Sequence, residues 1–217
     1  MLKRIVLYLA GLNLLAAALV LNTRYALGVA AFSSVMYSIS QIYGITLGTA
    51  SIVCFLVFVL AQCILSRRVT APYLLEIPLS LVFGLITDLY DYLIPAIGFP
   101  LPVRVLLFAL TLFVTGMGVY LCVKTNLVLT PTDGIVKTIS DVFRFPFPRV
   151  KNLFDITLVL ISAALCFFNH TPYYGIGIGT ILSALCLGPI IKLLGRLVPM
   201  RQYEAPTLRK RKAALDA

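Results

Sequence analysis

Charged side chains are scarce in this sequence of 217 residues, which contains only 8 acidic residues, one histidine and no tryptophan. Charged residues make up 12% of the chain, about half of the roughly 25% that soluble domains carry. So small a share is too low for an ordinary water-exposed surface. The composition argues against a soluble globular domain and indicates a protein whose solvent is lipid.

The sequence also lacks the clusters of residues that catalysis and metal binding require. The single histidine, His170, lies in a short polar loop, and we assign it no role. The cysteines lie inside apolar segments without CxxC spacing, which predicts small buried residues and neither a disulfide framework nor a metal site. They are Cys54, Cys63, Cys122, Cys166 and Cys186. Because no Ser/His/Asp set, Cys/His set or acid–base pair of carboxylates is visible, we expect no enzyme and no cofactor.

Long apolar runs dominate what is present. Hydrophobic residues make up 60% of the chain, and the mean hydropathy is +1.01. A helix needs about 20 consecutive apolar residues to cross the hydrocarbon core of a bilayer. Six runs approach or exceed this length: Ile5–Leu21, Thr46–Leu65, Tyr73–Ile94, Val105–Val123, Val150–Phe168 and Gly175–Val198. The predicted fold is an all-α polytopic membrane helix bundle.

Two further segments, residues 26–43 and 130–145, are only half apolar. If both crossed the membrane there would be eight spans, and if neither did there would be six. With six spans, nearly all of the 18 lysines and arginines lie on one side, and only Arg24 and Arg104 lie on the other. Such an excess marks the cytoplasmic side. We therefore predict six spans, two short polar half-helices and cytoplasmic termini, and attribute the net charge of +10 to membrane orientation rather than to nucleic acid.

The two halves of the chain resemble each other. Ile39-Ser40 in the first half corresponds to Ile139-Ser140 in the second, and Phe83-Gly84 corresponds to Leu187-Gly188. Since each half would cross the membrane an odd number of times, the halves would be inverted, as in many secondary transporters. We predict a first membrane repeat at residues 1–98, a second at 99–199, and a basic, disordered cytoplasmic tail at 200–217.

Two polar stretches carry a resemblance to a known family. One is Gly175-Ile-Gly-Ile-Gly-Thr180, which leads to Gly188-Pro189, and the other is Asn126-Leu127, followed by Pro131-Thr-Asp-Gly134 and a later basic residue, Arg149. With these stretches the chain resembles the YczE/YyaS/YitT family of bacterial integral membrane proteins, over about residues 8–198.

The chain departs from the family's pattern at two places. Val128 stands where the family usually has glycine, and the counterpart in the first half, residues 26–34, lacks the proline and the acid. The resemblance implies a multi-pass membrane location and transport. The family has no established substrate or reaction, so the resemblance narrows the architecture more than the activity.

Thr130-Pro-Thr-Asp133 has the pattern of a helix start. Thr130 stands at the N-cap, Pro131 at the first helical position and Asp133 at the third, in the spacing of a capping box. If this half-helix lies at membrane depth, its positive end faces a cavity. An acid at that end favours a cationic or zwitterionic solute, or a proton, over a free anion. The alternative is that Asp133 only caps a surface helix.

Asp88 lies within the third span, where an ionisable residue is a functional candidate by default. We expect Asp91 to be nearer to solvent. Arg24 and Arg104, the two cations on the outer side, are the expected partners of Asp88.

The start of the fifth span carries three charges. Asp155 follows Lys151 by four residues, which predicts an ion pair on one helix, and Arg149 is expected to lie at the interface. Gly177 and Gly179 begin the sixth span, where small residues permit close approach of a helix or a solute. The residues we assign to a solute or ion pathway are Asp88, Asn126, Thr130, Asp133, Arg149, Asp155, Gly177 and Gly179.

The predicted function is a small-solute secondary transporter, a permease or exporter, in the bacterial inner membrane. Two alternatives stay open: a substrate-binding membrane subunit of an importer driven by separate ATPases, and a non-transporting scaffold or regulator. The expected partners are the lipid bilayer, an unidentified small solute, and either ATPase subunits or a second copy of the chain.

Overall fold

Eight α-helices make up the part of the chain that the computed structural model describes, which is residues 2–25, 27–125 and 127–197. In chain order they are α1 (Leu2–Tyr25), α2 (Ala31–Tyr43), α3 (Leu47–Ser66), α4 (Ala71–Leu93), α5 (Leu101–Thr125), α6 (Pro131–Phe143), α7 (Phe147–Phe168) and α8 (Ile178–Leu197). No β-strand occurs in these three ranges, so the all-α fold is confirmed. Asn126 and the predicted basic tail lie outside the described residues.

Six of these helices, α1, α3, α4, α5, α7 and α8, are long and apolar enough to cross a membrane. The other two, α2 and α6, have 13 residues each. At 1.5 Å per residue, such a helix is about 20 Å long, which is shorter than the roughly 30 Å of a bilayer core. The predicted bundle of six spans with two half-helices is thus found, and the helix ends lie close to the predicted ones.

The antiparallel helices α1 and α5 form the centre of the bundle. Near one end of the pair, Thr111 Oγ1 donates a hydrogen bond of 2.7 Å to Asn22 Oδ1. Further along, Gly11 and Gly118 bring the two backbones together, because a Cβ atom on either glycine would lie 3.0 Å from the carbonyl oxygen of the other. Close packing of small residues is a main source of helix association in lipid, where the hydrophobic effect between helices is absent.

Helices α3 and α4 form an antiparallel hairpin beside this pair. A Cβ atom on Gly48, at the start of α3, would lie 2.1 Å from the carbonyl oxygen of Gly84 in α4. At the ends of α1 and α4, Arg24 forms an ion pair with Asp91. We call this end of the bundle the Arg24 end. The opposite end, where α1 and α4 begin and α3 is followed by Arg67, is the Arg67 end.

The two half-helices begin and end in the same manner. Each follows a short extended linker, and each is terminated by a residue in the left-handed region, Gly44 with φ of 65° or Arg144 with φ of 57°. In α2 the hydroxyl of Ser40 donates a hydrogen bond of 2.8 Å to Ile45 O, and in α6 the hydroxyl of Ser140 donates one of 2.7 Å to Phe145 O. Ser40 and Ser140 are corresponding positions of the two halves in the sequence.

Each half-helix packs against a spanning helix of the other half of the chain. Helix α2 lies against α7, and α6 lies against α3. Within the halves, the contact of α1 with α4 corresponds to the contact of α5 with α8. The contact of α3 with α4 has no equally extensive counterpart, because α7 and α8, in their described residues, are not packed together along their length. The inverted repeat and the domain boundaries that follow from it stay predictions.

Candidate functional site

A cavity of about 520 Å³ lies at the centre of the bundle, and residues from all eight helices line it. The first residues of both half-helices are in its wall, Ala31 and Phe32 from α2 and Pro131 to Asp133 from α6. The first four amide groups of a helix have no partner inside the helix, and the helix dipole is positive at that end. Both half-helices therefore turn their positive ends towards the same cavity.

Most of the cavity wall is apolar, and most of its polar groups lie together on one side, apart from Tyr8 of α1 and Ser183 of α8. Aliphatic and aromatic side chains such as Leu12, Phe55 and Phe83 come from α1, α3 and α4. The polar side is formed by α6, α7 and the linker before α6, through Thr130, Thr132, Asp133, Lys137, Lys151, Asn152 and Asp155. An apolar wall with a few convergent polar groups is typical of a site for a small organic molecule.

Lys151 joins two carboxylates on the polar side of the cavity. Its Nζ lies 3.4 Å from Asp133 Oδ1 and 3.3 Å from Asp155 Oδ1. The pair with Asp155 is the helical ion pair expected from the sequence and is confirmed. The contact with Asp133 was not expected, because it joins two different helices. The same ammonium lies 5.8 Å from the centre of the Phe32 ring, so α2, α6 and α7 meet at this lysine.

Helix α6 begins at Pro131 with Thr130 at the N-cap, as the sequence indicates. The side chain of Thr130, however, makes no capping bond to a backbone amide, and its hydroxyl donates instead to Asp133 Oδ2 at 3.1 Å. The expected capping-box contact is therefore wrong in this detail. Asp133 lines the central cavity, so the alternative in which it only caps a surface helix does not describe its position.

Tyr8 adds an unsatisfied hydrogen-bonding group to the cavity. It lies in the wall and is 3% exposed. Its hydroxyl has no hydrogen-bond partner among the described residues. Buried polar groups normally have a partner, so this phenol is available to a solute that carries a hydrogen-bond acceptor or donor.

Asp88 lies at the Arg24 end, in contact with the start of α3. Its Oδ2 accepts a hydrogen bond from Thr46 Oγ1 at 2.8 Å, and its Oδ1 accepts one from the Gly48 amide at 2.7 Å. A carboxylate is stabilised at a helix N-terminus. Arg24 pairs with Asp91 at 2.8 Å, so the expectation that Arg24 is the partner of Asp88 is wrong. The side chain of Asp91 is 33% exposed, so it does remain in part accessible to solvent. A role of Asp88 in a pathway stays a prediction. Its hydrogen bonds show that it caps the start of α3.

Three further residues of the predicted pathway lie elsewhere. A Cβ atom would lie 2.2 Å from Leu27 O if built on Gly177, and 3.0 Å from the Gly28 amide nitrogen if built on Gly179. These two glycines therefore let the start of α8 pack on the linker before α2. Arg149 is exposed near the start of α7. The structure thus brings Thr130, Asp133 and Asp155 together at the cavity. The other described members of the predicted pathway, Asp88, Arg149, Gly177 and Gly179, lie away from its lining.

Glu76 is a candidate that the sequence reasoning missed. It is 2% exposed, and Gln62 Nε2 donates a hydrogen bond of 2.7 Å to its Oε2. The available signal was an acidic residue inside the third apolar run. The sequence did not indicate that this acid faces the protein interior, because its partners come from other helices.

The chain matches the Family of unknown function (DUF6198) over residues 2–196. It is 26% identical over 212 residues to the uncharacterized membrane protein YczE of Bacillus subtilis (strain 168), covering 97% of this chain and 93% of the relative. It is 25% identical over 187 residues to the uncharacterized protein YyaS of the same organism, covering 85% and 88%. No solved structure matches. The family resemblance drawn from the sequence is confirmed.

Proposed function

We propose that this chain, which belongs to the DUF6198 family of unknown function, is a small-solute permease of the bacterial cell membrane. The observation that carries this proposal is the meeting of two half-helix N-termini at one cavity inside a bundle of six spans. Interrupted segments that meet near the middle of the membrane form the solute sites of many secondary transporters. The solute is bound and moved without chemical conversion.

The solute is a small organic molecule with an apolar body and a polar or zwitterionic group. Its apolar part packs on the wall formed by α1, α3 and α4, which includes Leu12 and Phe83. Its polar group lies near Tyr8 and the cluster of Lys151 with Asp133 and Asp155, where donors and acceptors of both charges are present. A mixed cluster of this kind suits a zwitterion better than a simple anion.

The cavity reaches the surface between α7 and α8. Asn152 of α7 and Gly188 of α8 belong to its lining and are exposed. Towards the Arg24 end, backbone contacts of the linker before α2 separate the cavity from the surface, such as the bond of 2.9 Å from the Val29 amide to Gly175 O. With the cation-rich Arg67 end in the cytoplasm, this conformation is open to the inside.

Transport proceeds by rocking of one half of the bundle against the other. The support is the unequal packing of corresponding pairs, in which α3 and α4 pack closely together whereas the described residues of α7 and α8 make few contacts at most. In an inverted repeat, exchanging these two arrangements moves the opening from one side of the membrane to the other. The outward-open state then has α7 and α8 in contact and α3 and α4 separated.

The proposal is tested by filling the cavity. Gly188 belongs to the cavity lining and a Cβ atom built on it meets no atom within 4 Å, so Gly188→Phe introduces a ring at the proposed opening from a position with room for a side chain. Gly98 lies in an exposed loop and is equally free of contacts, which makes Gly98→Phe the matched control. Proteoliposomes containing each protein are loaded with a defined metabolite mixture, and mass spectrometry identifies what leaves. We expect one solute class to leave through the unchanged protein and the control, and at least tenfold less through Gly188→Phe.

Other outcomes would overturn the proposal. Release of no metabolite above protein-free liposomes would remove the permease and favour a scaffold or regulator. Stoichiometric co-purification with ATPase subunits in mild detergent, together with release only in their presence, would make the chain the binding subunit of an importer. Equal release through Gly188→Phe and the unchanged protein would place the pathway outside the central cavity.

A further inference from the structure

Helices α3, α4 and α6 meet at a buried pair of side chains, Glu76 and Gln62. Glu76 is 2% exposed and Gln62 is 0% exposed. The first turn of α6 presses against both, because a Cβ atom on Gly134 would lie 2.6 Å from Glu76 Oε1 and 2.9 Å from Gln62 Oε1. Only a glycine permits this approach. The pair therefore forms the surface on which the half-helix rests.

Among the described residues, no cation forms an ion pair with Glu76 that would balance a carboxylate. Glu76 takes no part in the ion pairs that Arg24 and Lys151 form with other acids. Helix α3 presents the neutral amide of Gln62. Helix α6 presents Gly134, preceded by the acidic Asp133. Helix α1, which packs against α4, contributes Tyr8 to the cavity wall that also contains Asp133. A buried ion without an opposite charge is costly, and a carboxyl group avoids that cost by binding a proton.

The unsatisfied amide oxygen of Gln62 favours that proton. Its Nε2 donates to Glu76 Oε2 at 2.7 Å, while its Oε1 is buried and has no hydrogen-bond partner among the described residues. A carboxylate can only accept hydrogen bonds, whereas a protonated carboxyl also donates one. A protonated Glu76 therefore has a hydrogen to donate to an amide oxygen while it accepts from Gln62 Nε2. If the oxygen and nitrogen of the amide are interchanged, two oxygens face each other at 2.7 Å, and a proton is needed between them.

We propose that Glu76 is a proton-binding site, in which the carboxyl group holds a proton shared with the Gln62 amide for as long as α6 rests on α3 and α4. Release of the proton leaves a carboxylate against Gly134, one residue from the negative charge of Asp133. The repulsion and the lost hydrogen bond loosen the first turn of α6, which forms part of the cavity wall. Within the proposed permease, the proton is therefore the coupling ion. This last step rests on the proposed function, and the proton site itself does not.

Infrared spectroscopy of the full-length protein in detergent tests the proton site. A protonated carboxyl has a C=O stretching band well separated from that of a carboxylate. The spectrum of the unchanged protein minus that of Glu76→Gln is expected to show this band at neutral pH. Glutamine likewise has hydrogens to donate and an oxygen that accepts from Gln62 Nε2, so this variant is expected to fold. Asp91→Asn is the control, because Asp91 is ion-paired with Arg24 and its replacement should leave the band unchanged.

A second variant keeps the proposal testable if Glu76→Gln does not fold. In Gln62→Met the carboxyl loses its amide partner, so its band is expected to persist and to move to higher frequency. Absence of the band from the unchanged protein, or a band unaffected by both variants, would overturn the proton site.

Solute flux in proteoliposomes tests the coupling separately. With the solute identified from the loaded mixture, a pH gradient is expected to accelerate its release through the unchanged protein several-fold and through Glu76→Gln not at all. A band that behaves as expected while flux ignores the gradient in both proteins would overturn the coupling and leave the proton site standing. If no solute moves, the permease fails, and the infrared result still decides the proton site.

Discussion

At the scale of single residues, the acidic side chains of the bundle are stabilised by three different means. Asp88 accepts hydrogen bonds at the start of α3. Asp133 and Asp155 share the ammonium of Lys151 beside the cavity. Glu76 has a neutral amide as its partner. An ionisable residue in a membrane helix is a functional candidate by default. The partners distinguish Asp88, which caps a helix, from Asp133 and Asp155, which line the central cavity.

Replacement of Lys151 by methionine is expected to destabilise the protein. It leaves two carboxylates close together without their shared cation, and breaking a buried ion pair costs about 3–5 kcal/mol. Because these side chains retain between 18% and 24% of their exposure, we expect a smaller loss, about 2 kcal/mol. Thermal unfolding in detergent measures it. Arg68→Met, at an exposed position, is the control, and the double variant Lys151→Met with Asp155→Asn should recover part of the loss. Equal stability of Lys151→Met and the control would show that the cluster is fully solvated.

At the scale of helices, glycines decide which elements lie close together. Gly11 with Gly118 joins α1 to α5, and Gly48 with Gly84 joins α3 to α4. The half-helices depend on the same principle, since Gly134 lets α6 rest on Gln62 and Glu76. In lipid such close contacts replace the hydrophobic effect as the reason for helices to associate. The position of the half-helices, and with it the shape of the cavity, therefore depends on residues without side chains.

Gly48→Ala is expected to separate α3 from α4. The new methyl group would lie 2.1 Å from Gly84 O and 2.5 Å from Asp88 Cγ, and neither helix can accommodate it without shifting its backbone. Overpacking of this kind costs about 1–3 kcal/mol. A fall in the thermal unfolding midpoint in detergent measures the effect. Gly188→Ala in α8 serves as the comparison, because its methyl group meets nothing within 4 Å and alanine favours the helix. An unchanged midpoint for Gly48→Ala would mean that the α3–α4 contact is looser than described.

At the scale of the whole molecule, six spans and two half-helices determine which loops share a side of the membrane. The loop after α3 and the loop after α6 both lie at the Arg67 end, while the loops after α4 and α7 lie at the Arg24 end. With eight full crossings, the loops after α3 and α4 would exchange sides. The loops after α6 and α7 would keep theirs. The side of the membrane on which the loops after α3 and α4 lie therefore distinguishes six spans from eight.

Single cysteines in a cysteine-free background are expected to report this arrangement. With the Arg67 end in the cytoplasm, Val69→Cys should react with a membrane-impermeant maleimide only in inverted vesicles, and Gly98→Cys only in intact cells. Val69 is 67% exposed, so access to the reagent is not limiting. Phe145→Cys and Tyr173→Cys lie on the same sides under both arrangements and calibrate the labelling. Reaction of Val69→Cys in intact cells and of Gly98→Cys in inverted vesicles would establish eight spans instead.

Much of the architecture could be predicted because it depends on local patterns. Hydropathy over some 20 residues determines a span, the Thr-Pro-x-Asp pattern determines where α6 begins, and a spacing of four residues determines the pair of Lys151 with Asp155. Each of these features joins residues that are near neighbours in the chain. The six spans, the two half-helices and the membrane location follow from the sequence by itself.

Only the tertiary structure decided which polar groups meet. The contact of Lys151 with Asp133, the cap that Asp88 provides to α3, and the pair of Glu76 with Gln62 all join different helices. A membrane helix is apolar on nearly every side, so its hydropathy does not indicate which face is turned inward. That rotation is determined by close packing at glycines and by hydrogen bonds between distant parts of the chain. For this reason the cavity, and the acid buried beside it, became visible only in the folded protein.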